Sequence, residues 1–225
     1  TPERQAKNSY FRKARAPLPH KLTAPPAHVH RNSHWRAVVI GASTGGPRAL
    51  ETIFAALPGN LSIPLFIVQH LPGEFADSFA RRLDAARGPN VMVARDGDKV
   101  TNGKAYLAPG GKHLVVEGCA ASAPIMRLDD SEPVQYVKPS VDVLFSSAAE
   151  CFGDHTLGII LTGMGSDGVR GSKAIKASGG RIIVQDEASS VIFGMAKGVV
   201  SSGAADRVLP LEEIPNEIIR FTEGR

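Results

Sequence analysis

Three residues of this chain have the types needed for nucleophilic acyl transfer: Ser43 offers a hydroxyl, His70 an imidazole base and Asp167 an orienting carboxylate. Each stands at the end of an apolar run. Ser43 follows Ala37–Ile40 within Gly41-Ala42-Ser43-Thr44-Gly45-Gly46-Pro47. Glycines on both sides of a serine let the backbone bend sharply enough to present its hydroxyl. His70 follows Leu65–Val68, and Asp167 follows Leu157–Leu161 within Thr162-Gly163-Met164-Gly165-Ser166-Asp167-Gly168. If these runs are strands of a parallel sheet, all three residues lie along one edge, where open α/β folds bind ligands.

Plainer readings exist for each. The Ser43 turn also suits an anion at a helix N-terminus, His70 could cap an element, and Asp167 could serve an Asx turn or N-cap. The chain order Ser, His, Asp differs from the Ser, Asp, His order of the α/β-hydrolases, so a triad must stand on geometry. A dinucleotide fingerprint fails, because the first turn is not G-x-G-x-x-G and the second strand ends in Gln69-His70. Gly110-Gly111-Lys112-His113 likewise lacks the Walker spacing and its Ser or Thr. Cys119 and Cys151 have no CxxC spacing and read as reduced, partly buried thiols. Neither a metal nor a cofactor is expected: His20, His28, His30 and His34 cluster loosely without the carboxylate or cysteine that would complete a site.

The elements that must position the three residues alternate along the chain. From Ala37 onward, short branched-apolar runs alternate with helical patterns, which predicts repeated βαβ units and a doubly wound, mainly parallel sheet flanked by helices on both faces. A helix starts near Pro47 and ends at Pro58-Gly59, and another carries Phe75, Phe79 and Leu83 at helical spacing. Val91–Val93, Lys104–Ala108 and His113–Glu117 read as short strands with room for an antiparallel hairpin, and 119–135 as a polar excursion. A helix around Val141–Cys151 precedes the Leu157–Leu161 strand, and Arg181–Val184 is a further strand ending in Gln185-Asp186. Those two residues could contact substrate or cap a helix, with structural support the favoured expectation.

Residues 1–36 hold eight of the 26 Lys and Arg but one of the 22 Asp and Glu, together with Pro2, Pro17, Pro19, Pro25 and Pro26. That is the composition of a linker or tail, with poor order expected and Trp35 available to dock it. Residues 37–225 form the expected catalytic domain and carry a slight acidic excess, so no nucleic-acid footprint is expected. No apolar stretch approaches about 18 residues and no signal-peptide core is present, so membrane insertion is not expected and a cytoplasmic location is the default. The chain begins at Thr1 and reads as a fragment of something longer. With no exposed heptad and no internal repeat, a monomer is expected.

Five separated motifs occur in one order: the Ser43 turn; Val68-Gln69-His70; Leu107-Ala108-Pro109-Gly110-Gly111-Lys112-His113; Leu161 through Gly168; and Gln185-Asp186-Glu187-Ala188-Ser189-Ser190-Val191-Ile192-Phe193-Gly194-Met195. In these, over roughly residues 37–215, the chain resembles the catalytic domain of bacterial chemotaxis protein-glutamate methylesterases. The resemblance implies a doubly wound α/β fold with Ser43 as nucleophile, His70 as base and Asp167 completing the triad. It implies hydrolysis of glutamate γ-methyl esters on chemoreceptor helices, with receptor glutamine deamidation by the same triad. It also implies an N-terminal receiver domain in full-length members as a partner. Thr44 is expected to give a backbone N–H to the oxyanion, and Met164 to support the triad or substrate, or simply to fill core. Leu71, Lys138 and Ala196 depart from the family's commonest pattern; none belongs to the triad. A non-catalytic module gripping an anion or partner through the glycine-rich turns is the rival of a different class.

Overall fold

The computed structural model describes residues 36–119 and 123–224. The expected linker, apart from Arg36, lies outside them, as do Trp35 and the four-histidine cluster. Nine strands and six helices follow in the order β1 (Ala37–Ala42), α1 (Gly46–Ala56), β2 (Leu65–Gln69), α2 (Ala76–Asp84), β3 (Asn90–Val93), β4 (Lys104–Leu107), β5 (His113–Glu117), β6 (Ile125–Asp129), α3 (Val141–Phe152), β7 (Thr156–Ile160), α4 (Val169–Ala177), β8 (Arg181–Gln185), α5 (Met195–Ser201), β9 (Arg207–Leu209) and α6 (Ile214–Thr222), among the described residues.

Seven strands form one sheet in the order β3-β4-β2-β1-β7-β8-β9, every pair parallel. β1 is buried on both faces, which its unbroken Ala-Val-Val-Ile run anticipates. Val38 and Ile40 pack with Leu50, Ile53 and Phe54 of α1, Leu83 of α2 and Ile218 of α6. Ala37 and Val39 face Leu144 and Phe145 of α3, Ile175 of α4 and Val199 of α5. At roughly 1.5–3 kcal/mol per fully buried large apolar side chain, these two layers supply the main drive for folding. α1 lies on one face and α4 on the other, so the chain leaves β1 and β7 in opposite directions. The topological switch point, where doubly wound sheets open a crevice, therefore falls between these two strands.

The middle of the chain departs from expectation in three places. β6 lies inside the stretch read as a polar excursion, and it pairs antiparallel with β5. The hairpin is thus built from β5 and β6, whereas β3 and β4 pair in parallel within the main sheet. Only Met126 of β6 is buried, leaving too short an apolar pattern to be read as a strand. Phe75 belongs to a single 3-10 turn before α2 and is 50% exposed, so it does not share the buried face of Phe79 and Leu83. Cys119 and Cys151, expected to be reduced, form a disulfide that ties the end of β5 to the end of α3, with Cα atoms 5.2 Å apart. Their separation of 32 residues gave no hint of it, because the contact exists only once α3 lies on β5.

Candidate active site

Strand register sets the three residues side by side. Ala42 of β1 is level with Gln69 of β2, and Gly41 with Ile160 of β7. The next peptide units continue the pattern: His70 N donates to Ala42 O (3.1 Å), and Ser43 N to Thr162 O (3.1 Å). Ser43 therefore lies between the chain of His70 and the loop of Asp167. Gln69, fully inside the sheet, pins this corner by donating from Nε2 to the carbonyls of Ser43 (2.9 Å) and His70 (3.1 Å).

Two glycines let the corner close. Gly45 takes φ of +83° as the residue before α1, a left-handed conformation that other residues adopt at a cost. A Cβ on Gly163 would stand 2.8 Å from Ser43 Cβ, so only glycine lets the loop after β7 press against the serine. That loop is held in turn by Gln185, whose Oε1 accepts from Thr162 N (2.8 Å). Thr162 Oγ1 donates to Thr44 O (2.9 Å) and accepts from Ile192 N (3.0 Å). Gln185 is fully buried, and Asp186 accepts from Ser189 N (2.9 Å), so both are structural supports.

His70 Nε2 lies 2.8 Å from Asp167 Oδ2. Asp167 also accepts from Ser140 Oγ (2.7 Å) and the backbone N–H of Val141 (2.6 Å) and Asp142 (2.9 Å). Burial disfavours its charge, but the bonds from His70, the Asp142 and Val141 backbone and Ser140 outweigh that and hold the carboxyl below its ordinary range. An ionised carboxylate only accepts, so His70 Nε2 carries a proton and Nδ1 is left as the basic nitrogen. The donors at Val141 and Asp142 are the free N–H groups of the first turn of α3, where negative charge is favoured.

Asp142 returns the arrangement. Its Oδ1 accepts from Gly168 N (2.9 Å) and Gly171 N (2.8 Å) at the start of α4, while its Oδ2 accepts from Gln135 Nε2 (2.7 Å) and Arg170 Nε (3.2 Å). The two helices thus exchange carboxylates at their N-termini. Behind them lies His113, with no solvent exposure: Ser140 N donates to its Nδ1 (3.0 Å), and its Nε2 donates to Glu132 O (3.2 Å). Burial is the main reason its pKa lies below the ordinary histidine value, partly offset by the Glu132 carbonyl.

Ser43, His70 and Asp167 are therefore brought together. Thr44 is exposed beside them, and Met164, at 73% exposure on the loop after β7, fills no core. Ser140, Asp142, His113 and Gln69 were missed as site residues. His113 closes one of the five motifs, but nothing local says that it, Ser140 or Asp142 serves Asp167. Among the described residues no group of three or more His, Cys, Asp or Glu could hold a metal ion.

The sheet order and the polar cluster at its switch point define a doubly wound α/β domain with a hydrolase-like serine, histidine and aspartate. The CheB methylesterase family matches residues 38–218, and the chain belongs to that family. It is 46% identical to a protein-glutamate methylesterase/protein-glutamine glutaminase of Anaeromyxobacter dehalogenans, over 93% of this chain and 59% of that protein. One from Moorella thermoacetica is 46% identical over 83% of this chain and 44% of its own length. The crystal structure of the Thermotoga maritima CheB methylesterase catalytic domain superposes with a TM-score of 0.80 at 42% identity, covering 83% of this chain and 98% of that one. The chain spans about half the length of the curated relatives it matches.

Proposed function

We propose that this chain hydrolyses glutamate γ-methyl esters on the cytoplasmic helices of chemoreceptors, releasing methanol, and deamidates receptor glutamine by the same route. The observation that carries the reading is the His70–Asp167 hydrogen bond of 2.8 Å beside Ser43 at the switch point. The relatives named for both activities support the substrate class.

His70 Nδ1 takes the Ser43 proton as Oγ attacks the ester carbonyl, and Asp167 holds the ring in that tautomer while stabilising the imidazolium. The tetrahedral intermediate collapses by breaking the bond to the methoxy oxygen, which leaves as methanol with the proton from His70. Water, deprotonated by His70, then releases glutamate and restores Ser43. Thr44, the residue after Ser43, and Met164, the residue after the Gly163 that presses on Ser43, supply the backbone N–H groups that meet the oxyanion; neither N–H makes a hydrogen bond among the described residues. An amide substrate loses ammonia in place of methanol.

Residues 37–225 act as the catalytic domain and 1–36 as the connector to a receiver domain, in a cytoplasmic monomer. No described helix is long and apolar enough to cross a membrane. Methanol release from a methylated receptor cytoplasmic fragment, wild type against Ser43→Ala, tests the reading. Release that vanishes in the variant is expected, and release that survives overturns it.

A further inference from the structure

Val134 and Val137 exchange both backbone hydrogen bonds (3.1 Å each), closing a two-residue hairpin turn over Gln135 and Tyr136. Both central residues have positive φ, 50° and 66°. Such turns are ordinarily filled by Gly, which has no Cβ, and by Asn, whose short amide bonds locally; a bulky side chain is strained there. This turn is also anchored. Gln135 donates to Asp142 Oδ2 (2.7 Å) and accepts from Ser166 Oγ (2.6 Å), fixing it to the carboxylate exchange behind Asp167. The result is a tyrosine that is wholly exposed.

Tyr136 is not alone. Of seven exposed large hydrophobic residues among those described, Phe75, Tyr136, Met164, Val191 and Ile192 lie on loops joined to the catalytic edge of the sheet. Ile192 is tied to Thr162 and Gly163, a Cβ on Gly45 would strike Val191, and Met164 follows the glycine pressed on Ser43. A solvated active-site mouth for a small substrate needs no such apolar surround, whereas a protein surface does.

We propose that Tyr136 is a specificity-determining residue, held out by the Gln135 turn to pack against the helix that carries the glutamyl ester, with Val191 and Ile192 receiving the same helix. This rests on the esterase reading and deepens it. An amphipathic helix offers apolar positions at i, i+3 and i+4 around one esterified side chain, which matches a reactive serine continuous with an apolar surround. Tyr and other aromatics commonly anchor such contacts, because they bury much area with few rotatable bonds.

Tyr136→Gly removes the ring and also relieves the left-handed strain, so poor folding would not mimic the expected result. With the 225-residue chain, kcat/KM on a methylated receptor fragment is expected to fall about tenfold through KM, and the fall should exceed that on p-nitrophenyl acetate at least about fivefold. Tyr136→Phe should restore most of it. Equal losses on both substrates, or no loss on the receptor fragment, overturn the assignment while leaving the esterase reading in place. So does a dimer of the chain that Tyr136→Gly abolishes with receptor hydrolysis unchanged. A wild-type chain inactive on both substrates overturns the esterase reading and this one with it.

Discussion

The two halves of the site are built in opposite ways. Around Asp167, each carboxylate oxygen accepts two hydrogen bonds, the donors lie on α3 or its lead-in and on His70, and a second buried layer of Asp142 and His113 fixes those donors. Around Ser43 only the backbone is tied: Oγ makes no hydrogen bond among the described residues, and Thr44 and Met164 stand exposed. A group that must keep one orientation is preorganised by full satisfaction, while groups that act on substrate are left with bonds to make. Internal hydrogen bonding is dense at the carboxylate and sparse at the serine hydroxyl.

That contrast can be broken most sharply at the open half. Ser43→Ala should lower methanol release about 10⁶-fold with the melting temperature little changed, since the hydroxyl makes no internal hydrogen bond among the described residues. A large loss of stability would show that Ser43 belongs to the anchored half after all.

Asp167→Asn should cost about 10⁴-fold in kcat and should also destabilise, because an amide NH2 would face donors in place of an acceptor. Thermal unfolding alongside kinetics separates the two halves: activity alone falls at Ser43, activity and stability together at Asp167. Gly163→Ala tests the seam between them. Its methyl would meet Ser43 Cβ and Met195, and a shift of the serine by about 1 Å should lower kcat about 10²-fold. Unaltered kcat would mean that the loop after β7 yields without moving Ser43.

Ser140→Ala, which removes one of the four bonds to Asp167, should cost about 1–3 kcal/mol in urea unfolding, with a smaller loss of rate. The smallest effect concerns acid. His113 is held neutral in the folded state, with a pKa below its ordinary 6.5, so the unfolded chain binds the extra proton first. Its contribution is complete above pH 6.5 and is lost as pH falls from there towards the lowered folded value. Asp167, also depressed, keeps its contribution until pH falls below its ordinary 3.8. Urea midpoints should therefore decline from pH 6.5 downwards in the wild type. His113→Gln, which can still accept from Ser140 N and donate to Glu132 O, should flatten that first decline.

Most of the parallel sheet was legible because β1, β2, β7 and β8 are short apolar runs buried on both faces, a pattern that survives without any knowledge of neighbours. The triad candidates were legible because Ser43 and His70 directly follow such runs and Asp167 lies in the glycine-rich loop after one. β6 was not, with one buried residue in five, and β9, α5 and α6 were not assigned. Ser140, Asp142 and His113 escaped for a different reason. They act on Asp167 from 25 to 54 residues away in sequence, and a hydroxyl, a carboxylate and an imidazole have ordinary uses anywhere.

The sequence by itself determined the apolar strands of the sheet's centre, the residues that follow them and the family to which the chain belongs, because burial periodicity and glycine turns are local properties. Only the tertiary structure decided that β1 lies between β2 and β7 and that α3 gives its N-terminus to Asp167. It likewise joined Cys119 to Cys151 and made Gln135 hold Tyr136 in the open. Each of these is a contact between distant segments, and its energy exists only after the sheet has fixed both partners in place.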